Sequence, residues 1–208
     1  MHPYVPQRHG AAQGREATQA ILQAVASLWR DEQPELYRHV HPHGHATAKL
    51  TRAFAYWLGC GRSGRPTLDE IELGAHLHDV GKYLIAKSIL LKPGPLAPCE
   101  RAAISFHPVY GAQILANLNG VTDCVRRVVL HHHERWDGQG YPEGLHATDI
   151  PLEARLVSIV DIYTSLRARR AYKPMLTRAE AASEMRRMAG REIDPDMTRD
   201  FLKFIHAY

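Results

Sequence analysis

Along nearly the whole chain apolar residues recur at steps of three and four, the period of an α-helix, and no stretch alternates apolar with polar for a useful length. Residues 16–30 carry Ala20, Ile21, Ala24, Val25 and Leu28 at this spacing and read as an amphipathic helix. Pro34 interrupts it, and Pro42 is expected to open the next helix at a first-turn position, running to about Leu58 before Gly59 and Gly61. Thr67-Leu68-Asp69-Glu70 and Thr177-Arg178-Ala179-Glu180 are capping boxes, each starting a helix. Gly81 is expected to end the first of these after Asp79, and Gly190 the second. Pro108 must break or restart a helix just after His107, and Thr122 is placed to cap another that ends near His133. Pro151 opens a helix to about Arg169, and Asp194-Pro195 starts the last. Residues 92–98 and 137–149 are loops, and 1–14 is expected to be an extended, poorly ordered lead-in. The expected fold class is all-α, a helical bundle of about seven to nine helices, with an N-terminal extension (1–40) ahead of one domain (41–208).

A helical bundle packs with Leu, Ile and Phe, yet this chain of 208 residues has 14 histidines against 4 phenylalanines. Packing does not ask for so many imidazoles. The rest of the composition is ordinary: 45% hydrophobic, 23% charged, and a net charge of +4, too weak to argue for binding duplex nucleic acid. No apolar run approaches the ~18 residues of a membrane span, and residues 1–14 lack the apolar core of a signal peptide. Three widely spaced cysteines do not suggest a disulfide framework, and a reducing cytoplasm fits them better.

The histidines are not scattered. His78-Asp79 falls at a helix C-terminus, His132-His133 precedes Glu134, and His107 lies beside a helix break. Asp161 sits in the apolar stretch 157–166, where a carboxylate is costly unless paired or bound to metal. With His43 these residues offer imidazole nitrogens and carboxylate oxygens from several helices, a donor set that suits iron or manganese better than a thiolate site would. There is no CxxC and no HExxH, so neither a zinc finger nor a zincin is indicated.

Several segments, in order, resemble the HD-GYP phosphodiesterases, a branch of the HD-domain metal phosphohydrolases. They are Leu77-His78-Asp79-Val80-Gly81-Lys82, the loop Ser88-Ile89-Leu90-Leu91-Lys92-Pro93-Gly94-Pro95-Leu96, His107-Pro108-Val109-Tyr110-Gly111, and His132-His133-Glu134-Arg135-Trp136-Asp137-Gly138-Gln139-Gly140-Tyr141-Pro142. Val160-Asp161-Ile162-Tyr163 and Arg170-Ala171-Tyr172-Lys173 complete the series, and the resemblance covers about residues 43–205. It implies two divalent metal ions, iron or manganese. His43, His78, Asp79 and Asp161 would hold the first, and Asp79 would bridge to a second held by His107, His132 and His133. Catalysis would rest on Asp79 and Lys82, with Lys82, Tyr141, Arg170 and Lys173 binding substrate. The implied substrate is cyclic di-GMP, opened to pGpG and in some members cut on to GMP.

Two departures stand out. Thr164-Ser165-Leu166 stands where the family reads Asp-Ala-Leu, and His39 stands where some members have a Glu for a third metal. Two rival readings follow. One is another cyclic nucleotide as substrate. The other is a catalytically weak, metal-holding module that binds a signalling partner, such as a diguanylate cyclase, through Gly140-Tyr141-Pro142. A di-iron oxygen sensor would need no phosphate clamp, so Lys82, Arg170 and Lys173 count against it. His39, His41 and His45 compete with His43 as the first ligand. His131, the spare member of a run of three, is assigned to solvent. His2, His9, His76, His146 and His206 read as ordinary histidines, and Glu134 as an anchor for its loop.

Overall fold

A computed structural model describes residues 9–62, 66–168 and 175–207. Ten α-helical segments follow one another: α1 (His9–Glu32), α2 (Pro34–Trp57), α3 (Leu68–Leu77), α4 (Lys87–Leu90), α5 (Pro98–Ile104), α6 (His107–Ala116), α7 (Asp123–His131), α8 (Leu152–Arg167), α9 (Arg178–Met188) and α10 (Pro195–Ala207). Short 3-10 turns occupy Val80–Leu84 and Ala147–Asp149. With α4 set aside as a single turn, nine helices stand among the described residues, and no strand, as the periodicity implied.

The starts follow the local chemistry. Thr67 and Thr177 each accept a hydrogen bond from the backbone N–H three residues on, while the Glu70 and Glu180 carboxylates accept one from the cap backbone N–H. Asp194 accepts from the Met197 N–H at 2.9 Å and opens α10 with Pro195 behind it. Four expectations are corrected. Helix α1 begins at His9, so 9–14 is not an extended lead-in. Helix α2 opens at Pro34, and Pro42 lies inside it. Pro42 is on the exposed side, where the carbonyl that its missing N–H leaves unbonded is open to water. Gly81 does not end α3, which stops at Leu77 and gives way to the 3-10 turn. Thr122 occupies the N-cap of α7, but its hydroxyl makes no capping bond.

Helix α8 is the axis. Leu156, Ile159, Val160 and Tyr163 pack with Phe54 and Ala55 of α2, Met185 of α9 and Phe201 and Phe204 of α10 in one apolar cluster. A second cluster joins Val25 of α1, Leu73 and Leu77 of α3, Leu115 of α6 and Val125 and Val129 of α7. A third cluster is a layer of small side chains, Ala48, Ala75, Val128 and Val157, one from each of α2, α3, α7 and α8. Each stands three to five residues before or after a candidate ligand (His43, His78, His132, Asp161), so these four helices close up about one turn below the donors.

The 3-10 turn and α6 approach more closely than any side chain allows. A Cβ on Gly81 would stand 1.9 Å from the His107 carbonyl oxygen and 2.5 Å from the Gly111 nitrogen. That contact brings Asp79 and His107 together. Gly81→Ala is therefore expected to force the turn off α6, costing at least the ~1–3 kcal/mol of an overpacked core. Urea unfolding measures this, and elemental analysis of the same variant should show less bound metal than the parent.

Candidate metal centre

Three imidazoles are held the same way. The Nδ1–H of His78 donates to the Ala75 carbonyl (2.7 Å), that of His107 to Ile104 (2.8 Å) and that of His132 to Val129 (2.9 Å). Each carbonyl belongs to the last turn of a helix, where backbone oxygens lack an amide partner. A carbonyl can only accept, so Nδ1 carries the proton and Nε2 is the inward nitrogen. His78 and His132 cap α3 and α7, while His107 is the first residue of α6.

The inward atoms converge in two groups. Asp79, His107, His132 and His133 form one, and His43, His78 and Asp161 the other. Asp79 faces both: Oδ1 is 3.2 Å from His107 Nε2, and Oδ2 is 3.4 Å from His78 Nε2. His43 Nε2 lies 2.6 Å from Asp161 Oδ1, and Lys82 Nζ donates to Asp79 Oδ2 at 2.6 Å. Of the residues expected at the site, His43, His78, Asp79, His107, His132, His133 and Asp161 thus come together, with Lys82 at their edge. Tyr141 stacks on His133, ring centroids 4.9 Å apart. Arg170 and Lys173 lie outside the described residues.

The charges are unbalanced in a telling way. Burial pushes the Asp79 carboxyl up, but Lys82 and His78 hold it well below the usual range. Burial likewise raises Asp161, yet the His43 hydrogen bond and His78 bring it down to about 2. Burial and then the neighbouring histidines lower His132, and burial and His107 lower His133 to about 3. Burial pulls His78 down as well, but the Asp79 and Asp161 carboxylates carry it up to about 9. Two buried carboxylates thus meet a cationic His78 on one side and the neutral rings of His132 and His133 on the other.

The donor set fits a divalent ion. His107 Nε2 and His132 Nε2 face each other at 3.2 Å, with both Nδ1 atoms turned to carbonyls, so as neutral rings the two would oppose their lone pairs. His78 Nε2 is buried with no hydrogen-bond partner. A cation among these nitrogens satisfies all three and meets the carboxylate charge, which the fold otherwise leaves to Lys82 and His78.

The loop after His133 is shaped from behind. The buried Glu134 carboxylate accepts from the N–H of Glu143 (2.8 Å) and of Leu145 (3.0 Å), the anchoring role expected of it. Gly140 folds against the Glu134–Arg135 backbone, where a Cβ would stand 2.3 Å from the Arg135 nitrogen. The Arg155 guanidinium lies over the Trp136 ring at 5.8 Å, so Trp136 packs the loop onto α8. His131 corrects an expectation: it is 7% exposed, not in solvent, because the returning loop covers the end of α7. Burial lowers its pKa, and its Nδ1 is 3.9 Å from Glu134. Thr164, the departure already visible in the sequence, shares a 3.0 Å hydrogen bond with Thr47 of α2 and donates to the Asp161 carbonyl. The orienting carbonyls and Thr47 were missed from sequence. Only the three-residue step back from each histidine to a helix end signals the first, and nothing local signals the second.

Glu134→Gln tests the anchor. An amide oxygen can accept only one of the two N–H groups and turns its own NH₂ toward the other, at a cost of about 1–3 kcal/mol. Hydrogen exchange should quicken at Glu143 and Leu145 while helix content is unchanged.

Comparison with known proteins agrees with this geometry. The HD-domain family model matches residues 19–197. A Thermotoga maritima protein named cyclic di-GMP phosphodiesterase is 38% identical over 184 residues, covering 88% of this chain and 48% of that protein. A Vibrio cholerae protein named 3'3'-cGAMP-specific phosphodiesterase 2 is 34% identical over 190 residues, covering 91% of this chain and 35% of that protein. Among solved structures, an HDG"Y"P protein from Bdellovibrio bacteriovorus shares the fold with a TM-score of 0.64 at 24% identity, covering 80% of this chain and 52% of that one. The chain spans about half the length of the curated relatives it matches, or less. With that match spanning most of the sequence, and the paired histidines and aspartates meeting at one centre, the chain belongs to the HD-domain family.

Proposed function

We propose that the chain holds two divalent ions, iron(II) or manganese(II), and hydrolyses cyclic di-GMP to pGpG. The observation that carries this reading is Asp79, whose two oxygens face two separate donor groups. A carboxylate can bridge, and a neutral imidazole cannot. His43, His78 and Asp161 would complete one ion's shell, and His107, His132 and His133 the other's. When bound, such a pair acidifies water and withdraws charge from a phosphate ester.

The chain's own groups do the rest. Burial of His78, His107, His132 and Asp79 keeps bulk water from competing at the centre. The Lys82 ammonium, a quarter exposed and tied to Asp79 by one bond, is placed to turn toward a phosphate oxygen and neutralise charge on the departing one. Tyr141 stays protonated, since burial and then Asp79 and Asp161 raise its pKa. Its phenol can donate, and its ring continues the His133 face on which a guanine would stack. Arg170 and Lys173 are assigned to the phosphates by resemblance alone. Three free cysteines, and no described helix long and apolar enough to cross a membrane, favour the cytoplasm as its setting.

A second substrate has a specific motive. Thr164 replaces the family's carboxylate beside the last metal aspartate, and a relative that covers most of this chain is named cGAMP-specific. The full chain, purified without oxygen and loaded with iron(II) or manganese(II), should hold about two ions by elemental analysis and yield pGpG or GMP from cyclic di-GMP by chromatography. Asp79→Asn should lower turnover at least about 100-fold, the scale of losing an electrostatic group at the reacting centre, and reduce bound metal. Faster turnover of 3'3'-cGAMP would move the substrate to the second reading. Two ions bound with neither dinucleotide cleaved would overturn both.

A further inference from the structure

Helices α2 and α3 touch where Gly44 meets the His76 backbone: a Cβ at residue 44 would stand 2.6 Å from the His76 carbonyl oxygen. Two residues along an α-helix are about 200° apart. His43 and His78 therefore share one side of this seam, with rings 5.5 Å apart. Their neighbours two positions back or on, His41, His45 and His76, fall on the other side. There the His76 ring lies 5.0 Å from that of His41 and 5.6 Å from that of His45, and His41 and His45, one turn apart, are 6.2 Å from each other. Among the described residues no hydrogen bond holds any of these three rings.

An ion bound through one nitrogen of each ring at about 2.0–2.1 Å stands roughly 3.2 Å from each ring centroid, so tetrahedral placement puts centroids roughly 5.2 Å apart. The His76 pairs lie near that spacing, and the His41–His45 pair needs to close by about an ångström. As placed, the three rings do not bring one nitrogen each within 4.8 Å of the others, so binding requires the rings to turn about χ2. His45 is exposed and His41 and His76 partly so, which leaves the trio open to an ion from solvent.

We propose that His41, His45 and His76 form a further metal site, for one zinc-class transition ion, on the face of the α2–α3 seam opposite the Asp79-centred cluster. Three imidazoles without a carboxylate suit borderline zinc better than manganese or magnesium, which favour oxygen donors. A fourth position stays free for water. The ion would pin together the two helices that present His43 and His78, without touching either. The inference does not depend on the substrate reading above.

The test is zinc counting on the full chain. After dialysis against zinc, elemental analysis should find one equivalent fewer in His41→Gln, His45→Gln and His76→Gln than in the parent. Combining His41→Gln with His45→Gln should remove no more than either alone. Zinc should raise the melting temperature of the parent more than that of any variant. The manganese content and turnover of manganese-loaded His45→Gln should match the parent, which separates this site from the one at Asp79. If His76→Gln does not fold, His45→Gln decides, since Gln is well tolerated at an exposed helical position. Equal zinc counts in parent and variants overturn the proposal, and so does a lost equivalent accompanied by lost manganese and lost turnover.

Discussion

Everything at the centre depends on how three helices end. A buried imidazole has two nitrogens and must be told which one to offer. The unpaired carbonyls of Ala75, Ile104 and Val129 settle this by taking the Nδ1 protons of His78, His107 and His132. The same bonds fix ring orientation, so the inward lone pairs are aimed before any ligand arrives. The helices end there for reasons outside the centre. Helix α3 gives way to a turn pressed onto α6 through Gly81, and α7 gives way to a loop held by Glu134. Breaks in secondary structure thus become the supports of the chemistry.

Most of the architecture can be read from periodicity and caps, because both are local. Thr67, Thr177 and Asp194 announce their helices by side-chain bonds three residues long. Pro42 misleads because a helix already begun at Pro34 runs through it on an exposed side, where the unbonded carbonyl is open to water. The candidate donors were named by order and resemblance, and the structure gathers those residues into two groups that could hold a metal ion. Tertiary contacts were not legible. His131 looks spare in the sequence, and only the return of the loop over the end of α7 buries it. Thr164 looks like a lost carboxylate, yet its hydroxyl meets Thr47, 117 positions away, and joins α8 to α2 beside Asp161.

The loop that gives the signature its name is likewise defined from beneath. Glu134 reaches forward to two amides, Trp136 lies under Arg155, and Asp137 accepts from Arg135 and from the Gln139 N–H. Tyr141 arrives over His133 as the result of these anchors. Its position is therefore set by these contacts, though it sits in a segment without regular structure.

The layer formed by Ala48, Ala75, Val128 and Val157 carries a different consequence. None of these four side chains bears a donor atom, yet their bulk sets how far apart the donor-bearing helices stand. The separation between the two donor groups is in this sense a packing dimension, counted in methyl groups. Exchanging one apolar residue for another at these positions changes the bite of the centre while every ligand keeps its identity. Relatives with the same histidines and aspartates can therefore differ in metal preference or reactivity through residues that no ligand signature contains.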